Sequence, residues 1–175
     1  MKKAKWIIIG IILSIVIPLV VGILIKSFFF TFVKVEGPSM RPTLEDGDRL
    51  FIVRFGYKPE PGDIIVFRPD YNKSLPYIKR VIAVGGQNVD IDFEKSEVYI
   101  DGVLLNEPYL LEPDFIQGDV SFPVTVPNGH VFVMGDNRNN SEDSRRGRVG
   151  MVRNESIMGK AVSCWWPLSR KGTVE

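Results

Sequence analysis

The sequence has few of the residues from which metal sites and disulfides are built. Its 175 residues include one cysteine, Cys164, and one histidine, His130. A disulfide within the chain and a zinc site with several cysteine or histidine ligands are therefore excluded. A Ser-His-Asp triad would have to use His130. We expect no metal and no cofactor.

The sequence also lacks an excess of charge of either sign. Lysine and arginine number 22 and aspartate and glutamate 21, which gives a formal net charge of +1. Proteins that bind nucleic acid usually carry a strong basic excess, because they neutralise phosphates. The composition therefore predicts no nucleic-acid partner.

One long apolar run lies near the N-terminus. The chain carries no charge from Trp6 to Ile25, and Lys26 closes the run. A helix of about 20 apolar residues spans the ~30 Å core of a bilayer. A cleaved signal peptide is the alternative, but its apolar region is usually about 7–15 residues and ends at a small-residue site. Residues 26–30 offer no such site, so an uncleaved anchor is favoured.

These features predict how the chain is divided. Residues 1–5 form a short basic segment with three lysines, which favours a cytoplasmic N-terminus. Residues 6–26 form a transmembrane anchor in contact with membrane lipid. Residues 27–175 then form one extracytoplasmic domain, which is long enough for a real core. The predicted location is the cell membrane, with a single pass and the domain on the outer face.

The predicted domain is mainly β. No stretch after the anchor shows sustained helical periodicity, whereas short apolar or alternating runs recur between glycine- and proline-rich turns. The predicted strands are 28–35, 49–53, 64–67, 77–84, 89–92, 97–100, 103–105, 122–126, 130–134 and 161–166.

Ser39 lies in a stiff loop that follows the apolar run. Gly37, Pro38 and Pro42 surround it and exclude a helix. A serine held in this way can present its hydroxyl in one direction. The alternative is a turn serine that caps a backbone group.

Lys79 lies within an apolar strand. Side chains of a strand alternate between its faces, so Lys79 and Arg80 point to opposite sides and burial of either face buries a basic group. A buried amine has a lowered pKa, because burial disfavours its charged form. A neutral amine can accept the proton of a serine hydroxyl. The alternative is a lysine whose amine reaches solvent.

The segment 135–145 is a third candidate for chemistry. It is dense in paired donors and acceptors, which suits a polar network that supports a site. Asp143 and Arg145 can pair and brace the loop, and Ser141 can reach the lysine amine. A solvated, turn-rich loop is the alternative.

Together these stretches resemble bacterial type I signal peptidases over most of the chain. The segment 37–44, Gly-Pro-Ser-Met-Arg-Pro-Thr-Leu, is similar to the S-M-x-P-T-L nucleophile motif of that family. The segment 61–67 resembles its G-D-hydrophobic strand, and 77–83 its K-R-V lysine strand. The segment 135–145 resembles its G-D-N-R-x-x-S-x-D-S-R loop. All four motifs in this order, behind an anchor, are very specific.

The resemblance implies a membrane-bound serine endopeptidase with a compact, β-rich fold shared with self-cleaving repressors. Its partners would be exported preproteins, whose signal peptides it removes after small residues at positions −1 and −3. The single anchor and compact domain resemble the short Gram-positive pattern. The implied roles are Ser39 as nucleophile, Lys79 as general base, Ser141 as the group that orients the amine, Asp143 and Arg145 as a bracing pair, and Asp136 and Asn137 as members of the same network.

The resemblance also implies an oxyanion site. The Ser39 backbone N–H would donate to the oxyanion. Some members of the family add a hydroxyl residue two positions before the nucleophile. Gly37 stands there in this chain and has no side chain, so the second donor is not identified.

Three alternatives remain open at this stage. A triad could use His130, although Arg41 breaks the G-x-S-x-G pattern around Ser39. A self-cleaving repressor would share the Ser-Lys chemistry, but it would carry a DNA-binding domain where this chain has its apolar run. A membrane-tethered β module without catalytic activity would share the fold and leave Ser39 unreactive.

Overall fold

The structure is a computed structural model that describes residues 2–54, 56–112 and 115–174. Helix α1 runs from Lys2 to Phe29 and contains Pro18. The predicted anchor 6–26 lies within α1, whereas Met1 of the predicted basic segment lies outside the described residues. Of the described residues, no helix is both long and apolar enough to cross a membrane.

The rest of the chain is mainly β, as predicted. The apolar runs between turns form short strands, and the strand pairs among the described residues are antiparallel. The strands are β1 (Phe30–Lys34), β2 (Arg49–Val53), β3 (Ile64–Phe67), β4 (Tyr77–Val84), β5 (Asn88–Asp92), β6 (Glu97–Ile100), β7 (Val103–Leu104), β8 (Val124–Thr125), β9 (His130–Met134), β10 (Val152–Arg153), β11 (Ile157–Trp166) and β12 (Gly172–Thr173).

The strands form two sheets. The larger has eight strands, in the order β1-β2-β11-β3-β4-β9-β10 with β12 beside β11, and the smaller has the order β7-β6-β5-β8. Strand β11 occupies the middle of the larger sheet, so the end of the chain is held between β2 and β3. Strand β1 lies at one edge of the larger sheet and follows α1 directly, and β10 lies at the opposite edge.

Most strand predictions agree with the structure. The predicted bounds of β2, β3, β4, β6 and β9 are those observed. The first strand begins at Phe30 instead of residue 28, because α1 continues to Phe29. The last long strand begins at Ile157, four residues earlier than predicted.

Strand β4 is buried on both faces, which positions the site. All residues from 78 to 83 are buried. Ile78 packs into one hydrophobic cluster and Val81 into another. Because β3 and β9 flank β4 and each face is covered, Lys79 and Arg80 are both removed from solvent.

Candidate active site

The Ser39 loop is held by buried apolar side chains on either side of its turn. Met40 and Leu44 are almost fully buried, whereas Ser39 is half-buried. Gly37 has a φ of +84°, a conformation that glycine adopts without strain, and its N–H donates to Asp46 Oδ1 at 2.8 Å. The loop therefore places the Ser39 hydroxyl at a defined point at the edge of the core.

Asn137 ties the polar loop to the Ser39 loop. Its backbone N–H donates to Ser39 O at 3.1 Å, and its Nδ2 donates to Pro38 O at 3.1 Å. These two hydrogen bonds fix the backbone on both sides of the Ser39 N–H. Sequence reasoning placed Asn137 in the network that supports the site, and the structure brings it into direct contact with the Ser39 loop.

Lys79 extends from β4 to the Ser39 hydroxyl. Its Nζ lies 2.8 Å from Ser39 Oγ and donates to Ile78 O at 2.9 Å. The side chain is 3% exposed. Burial lowers the pKa of Lys79 from its ordinary value of 10.5 to about 8, although the carboxylates of Asp143 and Asp136 act in the opposite direction. Lys79 is therefore a buried amine, and its burial is the main cause of the lowered pKa.

Asp143 and Arg145 form the predicted ion pair. Arg145 donates through Nε and Nη2 to the two carboxylate oxygens, each at 2.9 Å, and Asp143 also accepts the Gly135 N–H at 3.1 Å. Burial raises the pKa of Asp143, but the hydrogen bonds and charge of Arg145 outweigh it and hold that pKa below its ordinary value. The Arg145 guanidinium also donates to Arg138 O at 2.6 Å, so the pair braces the loop from inside.

Ser141 does not make the predicted hydrogen bond to the lysine amine. Its Oγ is buried, forms no hydrogen bond of ordinary geometry among the described residues, and lies near enough to the Asp143 carboxylate to help lower the pKa of that group. The amine of Lys79 is instead directed to Ser39 Oγ and Ile78 O. Ser141 nevertheless lies close by, because a side chain at Gly135 would collide with the Ser141 hydroxyl and with Ser39 O. Glycine at position 135 permits this close approach.

Asp136 neutralises the second basic residue of β4. Arg80 donates through Nε and Nη2 to the Asp136 carboxylate at 2.9 and 2.8 Å, and both side chains are almost fully buried. The Thr43 hydroxyl, from the Ser39 loop, donates to the same carboxylate. Sequence reasoning gave no role to Arg80 or Thr43. The signal was available, since a guanidinium always carries its charge, so burial of the Arg80 face requires a buried carboxylate as its partner.

The C-terminal segment holds the far side of the Ser39 loop, a contact that sequence reasoning missed. Arg170 donates through Nε to Asp48 Oδ2 at 3.1 Å and through Nη2 to Thr43 O at 3.1 Å. Asp48 is buried and also accepts the Glu45 N–H at 2.9 Å. Nothing in the local sequence around Arg170 indicates this contact, because its partners lie more than 120 residues earlier.

Ser39 and Lys79 lie in the lining of a cleft of about 520 Å³. Phe32 of the edge strand β1 lines one part of it, and Leu75 and Ile78 line another. The lining is largely apolar around the two polar groups. Such a cleft suits an extended peptide with small apolar side chains.

His130 does not take part in this arrangement. It starts β9, and its neighbour Val131 pairs with Val84, the last residue of β4, so His130 lies beyond the end of β4 remote from Lys79. Its Nδ1 lies 3.2 Å from Asn128 O. Within the described part of the chain, no group of three or more histidine, cysteine or acidic residues is arranged to hold a metal ion.

Comparisons with known proteins agree on one family. The sequence model of the family described as "Signal peptidase, peptidase S26" matches residues 8–166. Probable signal peptidase I-1 of Synechocystis sp. is 41% identical, over 89% of this chain and 81% of the relative. Signal peptidase I of Bacillus licheniformis is 38% identical, over 89% and 87%, and signal peptidase IB of Staphylococcus aureus is 35% identical, over 97% and 93%. The crystal structure of a signal peptidase I from Enterococcus faecalis has a TM-score of 0.51 and 33% identity, and it covers 59% of this chain and 97% of that one.

Proposed function

This chain belongs to the signal peptidase family, peptidase S26, and is a type I signal peptidase; on that premise we propose that it cleaves preproteins with Ser39 and Lys79 as a catalytic dyad. The observation that carries the proposal is the 2.8 Å separation between Lys79 Nζ and Ser39 Oγ inside the cleft. The family assignment removes the basis for a non-catalytic binding module. The position of His130 gives no support to a triad.

The proposed reaction has two steps that share the same base. Neutral Lys79 Nζ accepts the proton of Ser39 Oγ as that oxygen attacks the carbonyl carbon of the scissile bond. The ammonium then returns the proton to the leaving amine, and the C–N bond breaks to give an acyl-enzyme. In the second step Lys79 accepts a proton from water, the hydroxide attacks the ester, and the proton returns to Ser39 Oγ.

The Ser39 N–H is the proposed donor to the oxyanion. Among the described residues it has no hydrogen-bond acceptor, whereas the neighbouring Gly37 N–H is used by Asp46. Backbone donors aimed at developing charge stabilise the transition state without reorganisation. The hydrogen bonds of Asn137 to Ser39 O and Pro38 O support this role, because they hold the peptide unit that carries the N–H.

We assign positioning roles to the polar loop. Asp143 and Arg145 keep the loop in one conformation, and Asp136 holds β4 to the Ser39 loop through Arg80 and Thr43. Ser141 Oγ and Ser39 O both lie beside Gly135, and the role we assign to Ser141 is to orient the lysine amine when substrate is bound.

The proposed substrate is an extended segment of an exported preprotein with small residues at −1 and −3. Strand β1 lies at an edge of the larger sheet and contributes Phe32 and Val33 to the cleft, which supports binding of the peptide beside a strand edge. In an extended peptide the −1 and −3 side chains point the same way and the −2 side chain points away. The apolar walls formed by Phe32 and Ile78 favour small side chains at −1 and −3.

Substitution in the substrate tests this specificity. With a preprotein that carries an Ala-x-Ala site, the full chain is expected to make one cut after the second alanine, mapped by mass spectrometry. Changing the −1 or −3 alanine to leucine is expected to lower kcat/KM about 100-fold, because a larger side chain does not fit the pockets. The same change at −2 is the matched control and is expected to have little effect. Equal sensitivity at all three positions would contradict the alternating arrangement.

The pH dependence of cleavage tests the role of Lys79. The base must be neutral, and its pKa is lowered to about 8, so kcat/KM is expected to rise about tenfold per pH unit below pH 8 and to level off above it. The measurement is the rate of preprotein cleavage from pH 6 to pH 10. The His130→Ala variant is expected to give the same profile. A midpoint near pH 6.5 that disappears in this variant would assign the base to histidine instead.

We also propose that α1 holds the enzyme at the cell membrane, with residues 1–5 on the cytoplasmic side and residues 27–175 on the outer face. The support is the apolar surface of α1, on which Ile15 and Leu19 are 64% and 61% exposed. A tethered protease would meet membrane-bound preproteins at a high effective concentration.

Carbonate extraction of membranes tests this location. The wild-type chain is expected to stay in the membrane pellet, and Ile15→Lys/Leu19→Lys is expected to move mostly to the supernatant, because charges in a lipid-facing helix are costly. Val103→Lys/Leu104→Lys is the control, because it changes two apolar residues of β7 whose exposure is similar to that of Ile15 and Leu19. This variant is expected to stay in the pellet. Release of the wild-type chain by carbonate would contradict the proposal.

A further inference from the structure

A second cavity, of about 360 Å³, lies outside the catalytic cleft and is rich in basic side chains. We call it the basic pocket. It is formed where the end of β2, the end of β3 and the segment between β10 and β11 come together. Its charged lining residues are Arg54, Arg68, Lys73, Arg153, Asp70 and Glu155.

Among the residues that the structure describes, three of the four cations in the basic pocket have no ion-pair partner. Arg153 donates to Asp70 Oδ1 at 2.7 Å, which neutralises that pair. Arg54, Arg68 and Lys73 form no ion pair with any residue that the structure describes. Cations that share one concave surface repel each other and raise the local positive potential. With Asp70 and Glu155 counted, four cations against two carboxylates leave the pocket a net charge of +2, which suits an anion with several acceptor oxygens.

The basic pocket lies at the level where α1 ends. The Arg54 N–H donates to Phe29 O, the last residue of α1, at 3.0 Å. The residues next to these two, Val53 of β2 and Phe30 of β1, pair with each other. If α1 lies in the membrane, as proposed above, the lipid headgroups are found at this level.

We propose that the basic pocket binds the phosphate of an anionic phospholipid. Guanidinium groups match phosphate oxygens in geometry as well as charge, and basic groups beside a membrane helix attract anionic headgroups. Lys73 lies in the loop between β3 and β4, and Leu75 of the same loop lines the catalytic cleft. A lipid in the basic pocket would therefore set the height of the cleft above the bilayer. This inference rests on the proposed location of α1.

Lipid binding by the full chain tests the proposal. The chain is purified in a neutral detergent and titrated with phosphatidylglycerol, and bound lipid is counted by native mass spectrometry. Phosphatidylcholine tests the need for net negative charge, and glycerol 3-phosphate tests the need for acyl chains. Arg68→Gln/Lys73→Gln removes two of the free cations. Lys95→Gln/Lys171→Gln is the matched control, because it removes two exposed positive charges elsewhere.

The expected result is saturable binding of phosphatidylglycerol that is about 30-fold weaker in Arg68→Gln/Lys73→Gln and unchanged in the control. Phosphatidylcholine and glycerol 3-phosphate are expected to compete poorly. Equal loss of affinity in both double variants would overturn the pocket assignment, as would binding that neither variant weakens. Competition by glycerol 3-phosphate at the same concentration as the lipid would overturn the lipid assignment and identify a free phosphate ester as the ligand.

A parallel assay separates this inference from the proposed function. Both double variants are expected to cleave a preprotein in detergent at the wild-type rate, because neither pair of residues lies in the catalytic cleft. Normal cleavage without lipid selectivity would remove the basic-pocket proposal alone. Absence of cleavage by the wild-type chain would count against the proposed dyad, whatever the lipid result.

Discussion

Replacing Lys79 with methionine is expected to lower the rate of preprotein cleavage by about 10²- to 10⁴-fold, the usual contribution of a positioned general base. The amine is the basic group beside Ser39 Oγ, at 2.8 Å, and its lowered pKa of about 8 leaves about a tenth of it neutral at pH 7 and about half at pH 8. Without it the Ser39 hydroxyl keeps its proton and is a weak nucleophile.

The methionine substitution separates catalysis from folding. Methionine is unbranched and apolar, so it fills the space of the lysine chain without leaving a cavity. Lys79 is buried and makes no direct ion pair, and its loss removes a desolvation cost from the folded state. The melting temperature of Lys79→Met is therefore expected to equal or exceed that of the wild type. Lys171→Met, at an exposed lysine outside the cleft, is the control and is expected to keep full activity.

Ser39→Ala completes the test of the dyad. It is expected to reduce cleavage to the uncatalysed background, because no other hydroxyl lies within hydrogen-bond distance of Lys79 Nζ among the described residues. Single-turnover rates and melting curves are measured for all three variants. Cleavage that survives Lys79→Met within tenfold of the wild-type rate, but is lost in Ser39→Ala, would assign the base to another group. Cleavage by Ser39→Ala would exclude Ser39 as the nucleophile.

The chain predicts its strands well where apolar runs are bounded by turn residues. The bounds of β3 and β4 follow from the turns at 59–63 and 69–76 and agree with the structure. Strands β10 and β12 were not predicted. Each has only two residues, too few to show an apolar or alternating run, and each is held by pairing with a longer strand, β9 or β11. Local pattern carries no information about such pairings.

Some contacts of the site were predicted from the sequence and others were not. Alternation showed that Lys79 and Arg80 lie on opposite faces, but it did not show that both faces are buried. That depends on β3 and β9, which flank β4. The pairing of Asp143 with Arg145 is local and was predicted, whereas the contact of Arg170 with Asp48 was missed, because the fold alone brings the two together. The environment of the Ser141 hydroxyl was not predicted either, because it depends on how Gly135 and the Ser39 loop pack in the fold.

Removal of the Asp136 charge is expected to destabilise the domain strongly. In Asp136→Asn the buried guanidinium of Arg80 loses its neutralising charge, and removal of one partner from a buried ion pair costs about 3–5 kcal/mol. For a domain of this size the melting temperature is expected to fall by roughly 10 °C. Asp70→Asn is the matched control, since it breaks the exposed Arg153–Asp70 pair, and its effect is expected to stay within about 0.5 kcal/mol.

A double-mutant cycle shows whether the cost comes from the unpaired charge. Arg80→Met/Asp136→Asn removes both charges, so it is expected to be more stable than the sum of the two single changes implies. Additive effects would mean that Asp136 acts through its hydrogen bond with Thr43 instead. Asn137 follows Asp136 and holds the Ser39 loop. Asp136→Asn is therefore also expected to have a lowered kcat at temperatures well below its melting temperature, where the variant is folded. A wild-type kcat in the folded variant would show that the pair stabilises the domain without positioning Ser39.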